Sequence, residues 1–281
     1  MKRQIISAKI ISDFKKYLCE NEKSKNTVEK YVRDVCAFAG YCGSSPITKD
    51  TVISYKQHLI DSDYAARSIN SMLASINCLL DHLGRHEMKV KPLKLQKEIY
   101  RPEEKELTKE EYFCLCRTAE RKHNERLCLI LQTICSTGIR VSELQFVTVE
   151  AIQRGEMVVS LKGKTRSVII PKVLKQKLRR YTAEQGIGGG MIFVTKSGKP
   201  LSRTNIWREM KMLCAEANVN PEKVFPHNLR HLFARVFYGI DKDIAKLADI
   251  LGHSSIDTTR IYIIGTGIEH RKLLENMRLT I

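Results

Sequence analysis

For its first 85 or so residues this chain places its apolar side chains only at helical spacing. Nothing in that stretch alternates as a half-buried strand would. Ile10, Ile11, Phe14, Tyr17 and Leu18 share one helical face, and Thr27, Val28, Tyr31, Val32, Val35 and Phe38 share another. Val52, Tyr55 and Leu59 repeat the pattern, followed by Ile69, Met72, Leu73, Ile76, Leu79, Leu80 and Leu83. A stripe of this kind must be covered by a neighbouring helix. The breaks at Glu20–Ser24, Gly40–Ile47 and Asp61–Ala65 therefore predict a four-helix domain over residues 1–86. Lys25, Lys30, Arg33, Lys49, Lys56 and Arg67 fall on its polar faces.

The periodicity then stops. Residues 87–106 are basic, carry Pro92 and Pro102, and read as an extended interdomain linker that is solvated, lies along phosphates, or both. A second domain is expected over 107–281. Thr108 and Glu111 fit a capping box, with Leu107 and Tyr112 as its hydrophobic staple. An apolar helix is expected over 123–137, ending at Thr137-Gly138. Two β-like pieces, 157–161 and 167–170, are joined through Lys162-Gly-Lys-Thr-Arg166. Further helices are expected over 172–184, 203–217, 227–239, 242–251 and 256–263, with a last one near 268–278. The fold class is thus mainly α with a small antiparallel β-sheet.

The formal net charge is +17 and the pI near 9.5. A positive field of that size favours polyanionic partners, nucleic acid or anionic membrane. No run approaches the 18 apolar residues of a membrane span, and the start lacks a signal peptide's apolar core. The basic residues are dispersed through helical patterns instead of clustered beside an apolar segment, which favours nucleic acid. Nine cysteines form no C-x-x-C pair and no even framework, so they read as reduced thiols in a cytoplasmic protein.

Six residues in the second domain carry chemistry. Arg140 stands in T-G-I-R-V-S-E-L, His227 and Arg230 in H-N-L-R-H, His253 in L-G-H, and Tyr262 follows nine residues later. The sixth is the hairpin lysine, Lys162, with Lys164 as its alternative. Guanidinium forks donate two parallel hydrogen bonds to non-bridging phosphate oxygens and stay charged. Glu143, three residues after Arg140, is placed to hold it by an ion pair. His227 and Arg230 sit at i, i+3 just after Pro226, near a helix N-terminus that favours anions. His227 and His231 at i, i+4 also resemble half a zinc site, but the H-E-x-x-H glutamate is missing and Arg230 would oppose a dication. His253 is read as opening a helix, with Ser254 and Ser255 as alternative caps. A phenol with a reference pKa of about 10 becomes a nucleophile only where cations or a base lower the cost of the phenolate. A lysine near the departing oxygen can act as its general acid. The set therefore suits breaking and rejoining a nucleic-acid backbone.

T-G-I-R-V-S-E-L, H-N-L-R-H-L-F-A and L-G-H-S-S-I-D-T-T-R-I-Y resemble the signature boxes of the tyrosine recombinase family, in its compact Xer-like and mobile-element integrase form. The Lys25-Asn-Thr-Val-Glu-Lys-Tyr stretch resembles that family's helical core-binding, SAM-like domain. The resemblance implies a site-specific recombinase that clamps double-stranded DNA at inverted-repeat sites. Tyr262 would form a 3′-phosphotyrosyl bond and free a 5′-hydroxyl. Arg140 and Arg230 would bind the non-bridging oxygens, His227 and His253 would assist, and the lysine would protonate the leaving oxygen. A homo-tetramer would pass through a Holliday junction, with neither ATP nor a metal. A regulator of the same fold without catalysis, and a type IB topoisomerase acting on one duplex, are the rival readings.

Overall fold

The computed structural model describes residues 5–95, 103–161, 163–195, 197–263 and 274–277. The chain divides into two units, Met1–Lys97 and Glu98–Ile281.

In the first unit the apolar stripes become α1 (Ala8–Glu20), α2 (Lys25–Cys42), α3 (Lys49–Asp61) and α4 (Ala66–His82). Ser7, Ser24 and Thr48 each accept a hydrogen bond from a first-turn backbone N–H, which fixes the starts of α1, α2 and α3. Phe14, Leu18, Val35, Phe38, Val52, Leu73, Ile76, Leu79 and Leu80 are wholly or almost wholly buried between the helices. Each such side chain contributes on the order of 1.5–3 kcal/mol of burial. One charge enters this core: Asp34, met by Lys30 Nζ at 2.7 Å and Ser75 Oγ at 2.8 Å.

The start of the expected linker is tied down. Asn77 bonds both backbone groups of Val90, at 3.0 and 3.1 Å, and Asn70 bonds both of Leu93, at 2.9 and 2.7 Å. Val90 itself is buried in the first unit's core. Two asparagine amides on α4 thus act as a partner strand for residues 90–93, and basic composition gives no sign of it.

The second unit opens with the Thr108–Glu111 capping box on α5 (Lys109–Arg121), and Leu107 and Tyr112 are both buried beside it. α6 (Glu125–Thr137) is buried on nearly every face, as a helix apolar all round must be, and Gly138 ends it in the left-handed conformation. A six-residue 3₁₀ turn, Val141–Phe146, leads to α7 (Val149–Arg154), a helix too short to show a period in the sequence. β1 (Glu156–Leu161) and β2 (Lys164–Ile169) then pair antiparallel. The hairpin is tighter than the sequence suggests: Leu161 pairs with Lys164, so Thr165 and Arg166 belong to the strand and not to the connection.

α8 (Lys172–Glu184), α9 (Arg203–Ala217), α10 (Pro226–Ile240), α11 (Ile244–Leu251) and α12 (Ile256–Ile263) complete the described elements. α10 packs on α6, and α12 packs on both α10 and α11. Of the helix expected near 268–278, only residues 274–277 are among those described. All nine cysteines are free thiols; Cys42, Cys116, Cys128 and Cys214 are buried, whereas Cys19 and Cys36 are exposed. Among the described residues no helix is long and apolar enough to cross a membrane.

Candidate phosphate-binding site around Tyr262

Gly138 turns the chain out of α6 and delivers Arg140 as the residue capping the 3₁₀ turn. Glu143, 1% exposed, reaches back to it: Oε2 accepts from the Arg140 backbone N–H at 2.8 Å and Oε1 from Nη1 at 3.0 Å. The ion pair read from the i, i+3 spacing is therefore present. A second arginine, Arg166 on β2, donates Nη1 and Nη2 to the same two oxygens at 3.0 and 2.7 Å. Burial alone would raise the Glu143 pKa, but Arg166 and the Arg140 backbone and side chain hold it below the usual carboxylate value.

Arg230 comes from the first turns of α10 and is 1% exposed. Its Nη1 donates to the Gly138 carbonyl, and Nη2 donates to the Leu251 carbonyl at 2.7 Å. Nη2 also meets His253 Nε2 at 3.0 Å. Arg230 thereby ties the end of α6 to the end of α11. Burial, then repulsion from Arg140, lowers its pKa to about 10 against the opposing influence of Tyr262 and Glu143. It stays charged at neutral pH.

His253 does not open a helix. It lies in the short link between α11 and α12, after Gly252 has closed α11 in the left-handed conformation. A guanidinium can only donate, so Nε2 accepts; Nδ1 then carries the hydrogen and donates to Thr259 Oγ1 at 2.9 Å. Burial first, then Arg230, Arg140 and Arg166, lower the His253 pKa to about 4. The ring is neutral near pH 7.

Tyr262 on α12 is 6% exposed, and aromatic and cationic groups surround its ring. His231 stacks on it at 4.2 Å between centroids, His253 lies at 5.1 Å, and His227 stands edge-on at 5.2 Å. The Arg230 guanidinium carbon is 5.8 Å from the ring centre. The fold therefore gathers Arg230, His227, His253 and Tyr262 in one place, with Arg140 close enough to repel Arg230. Lys162 lies outside the described residues. Lys164 begins β2 opposite Leu161.

Three groups in the cluster are not legible in the sequence as parts of one site. The sequence puts Arg166 in the hairpin connection, although an arginine at period two with buried Val168 and Ile170 marks the inward face of a strand. The spacing of His231 suggests only a zinc ligand, and its ring packs on Tyr262 instead. Thr259, which orients His253, has no one-dimensional signal at all. His227 and His231 do lie together, 4.8 Å apart edge to face, but among the described residues no three metal-type side chains gather.

The charge of the cluster is unbalanced. Three guanidinium groups face one carboxylate, and the Arg140 side chain is 40% exposed. Such a centre favours an incoming anion with several oxygens.

Residues 105–265 match the phage integrase family, and residues 11–87 match the phage integrase N-terminal SAM-like domain. The chain is 30% identical to tyrosine recombinase XerA of Pyrococcus furiosus over 99% of both chains. It shares its fold with a lambda integrase tetramer bound to a Holliday junction, at a TM-score of 0.72 and 19% identity, over 90% of this chain and 76% of that one. XerH recombinase bound to its difH substrate matches at a TM-score of 0.67 and 17% identity, over 97% and 99% of the two chains.

Proposed function

The chain belongs to the phage integrase family, and on that premise we propose that it is a site-specific tyrosine recombinase acting on double-stranded DNA. The observation that carries the proposal is the convergence of Arg230, His227 and His253 on the Tyr262 ring, with the half-buried Arg140 beside them. A scissile phosphate entering from the Arg140 side would place its non-bridging oxygens between two guanidinium groups. Their charge offsets that of the pentacoordinate transition state.

The Tyr262 oxygen attacks phosphorus as the phenol gives up its proton to solvent at the mouth of the site, and the O–P bond to tyrosine forms. The bond from phosphorus to the 5′ oxygen breaks, and that oxygen leaves as a hydroxyl after taking a proton from the hairpin lysine, Lys162 or Lys164. One phosphodiester is exchanged for another, so the energy of the bond is kept and rejoining is the same reaction reversed. The neutral His253 holds Arg230 and accepts from it; His227 stands at the exposed mouth of the site. The net charge of +17 fits duplex DNA, and four copies at paired inverted-repeat sites would exchange strands through a Holliday junction. The same reading places the protein with DNA in the cytoplasm.

A fragment library of the source DNA serves as substrate, so the target sequence need not be chosen beforehand. Protein incubated with the library and quenched in detergent should retain fragments attached through their 3′ ends to Tyr262. Tyr262→Phe should retain none while still binding duplex. Fragments held covalently by the variant would place the nucleophile elsewhere. The recovered junctions give the site sequence for all later assays.

A further inference from the structure

Arg166 takes no part in the six-residue set, yet it donates two hydrogen bonds to the carboxylate that pairs with Arg140. We propose that Arg166 is a positioning residue for strand cleavage: it fixes Glu143, through which Arg140 is aimed at the phosphate, and it props the backbone that carries His253. The inference rests on the recombinase reading above.

Glu143 makes four contacts with two arginines, and they are unequal. Arg140 contributes its backbone N–H and a single guanidinium bond from a side chain 40% exposed. Arg166 contributes a fork-to-fork pair, at 3.0 and 2.7 Å, from a side chain 17% exposed. The drier, bidentate partner sets where a desolvated carboxylate sits. Glu143 is thus held from the β-hairpin, and Arg140 takes its orientation from Glu143.

The placement of Arg166 is itself costly, which argues for a role. It pairs across the hairpin with Val159, 1% exposed, on the same face as Val168 and Ile170. Its Nε is buried and has no hydrogen-bond partner. A lone desolvated donor is unfavourable. The same side chain lies on Gly252, where an added Cβ would stand 2.7 Å from Arg166 Cδ and 2.9 Å from Nη1. Gly252 adjoins His253. One side chain therefore touches both the carboxylate that aims Arg140 and the link that places His253.

The experiment compares adduct formation on two duplexes carrying the recovered site. One has the natural phosphodiester at the cleavage point; the other has a methylphosphonate there, with one charged oxygen replaced by methyl. Losing the service of one arginine should slow the natural substrate about 100-fold at saturating protein. Arg166→Ala should show that loss with duplex affinity nearly unchanged. Its deficit should fall below about fivefold on the neutral substrate, which demands less of the charge Arg140 supplies. Arg166→Lys keeps a cation beside Glu143 but not the fork, so it should fold and fall in between, with the same substrate dependence. Equal deficits on both substrates would mean that Arg166 only supports the fold, and a wild-type rate in Arg166→Ala would remove the proposal outright. Absence of any adduct from the wild-type protein would instead overturn the recombinase reading, and this one with it.

Discussion

Gly138→Ala isolates the junction on which Arg140 and Arg230 both depend. Gly138 sits at φ +67, where a residue with a Cβ is disfavoured by roughly 1–2 kcal/mol. It is also crowded: an added Cβ would stand 2.5 and 2.6 Å from two ring carbons of Phe233 and 3.0 Å from Leu251 Cδ2. Relieving that contact means moving α10 or the end of α11, an overpacking cost of about 1–3 kcal/mol. Gly155 provides the control in the same unit. It ends α7 at φ +86, but its nearest neighbour is the flexible tip of Lys175 at 3.3 Å, so Gly155→Ala carries the backbone cost alone. The steric excess, about 2 kcal/mol, should lower the melting temperature of the second unit by roughly 6 °C more in Gly138→Ala than in Gly155→Ala, at about 3 °C per kcal/mol. Thermal melts of the full chain followed by circular dichroism measure this. The Gly138 carbonyl accepts from Arg230, so adduct formation should fall in Gly138→Ala and not in Gly155→Ala. Gly138→Ala melting with Gly155→Ala, at unchanged activity, would refute the packing argument.

Two further predictions concern pH and the strap on α4. His253 titrates near 4 in the folded protein and near 6.5 when unfolded, so between those values the unfolded chain binds a proton that the folded chain does not. Stability should fall as pH drops through that window and stay flat above it; the slope should be shallower in His253→Gln, and an identical slope would assign it to another group. Asn77→Ala removes two hydrogen bonds to Val90, at about 1 kcal/mol each, and should open residues 88–95 to protease while leaving the second unit's melt unchanged. Unaltered cleavage in that stretch would show that the asparagine does not hold it.

Much of this protein is determined by short-range chemistry that its sequence states openly. The stripes of α1 to α4 follow from apolar period, and the starts of α1, α2 and α3 from Ser7, Ser24 and Thr48, because a cap needs only its own first turn. The Thr108–Glu111 box and the Arg140–Glu143 pair are legible for the same reason: both partners lie three residues apart. Where partners are distant, the sequence is silent. Arg166 meets Glu143 across 23 residues, Arg230 meets Gly138 across 92, and residues 90–93 are held by asparagines 13 to 23 positions earlier. Those contacts exist only after α6, α10 and the hairpin have packed, since a polar group in a closing core must take whichever partner the packing brings to it. The sequence names the residue types for phosphate chemistry. Packing chooses which guanidinium groups are buried, which faces solvent, and which histidine rings lie around Tyr262.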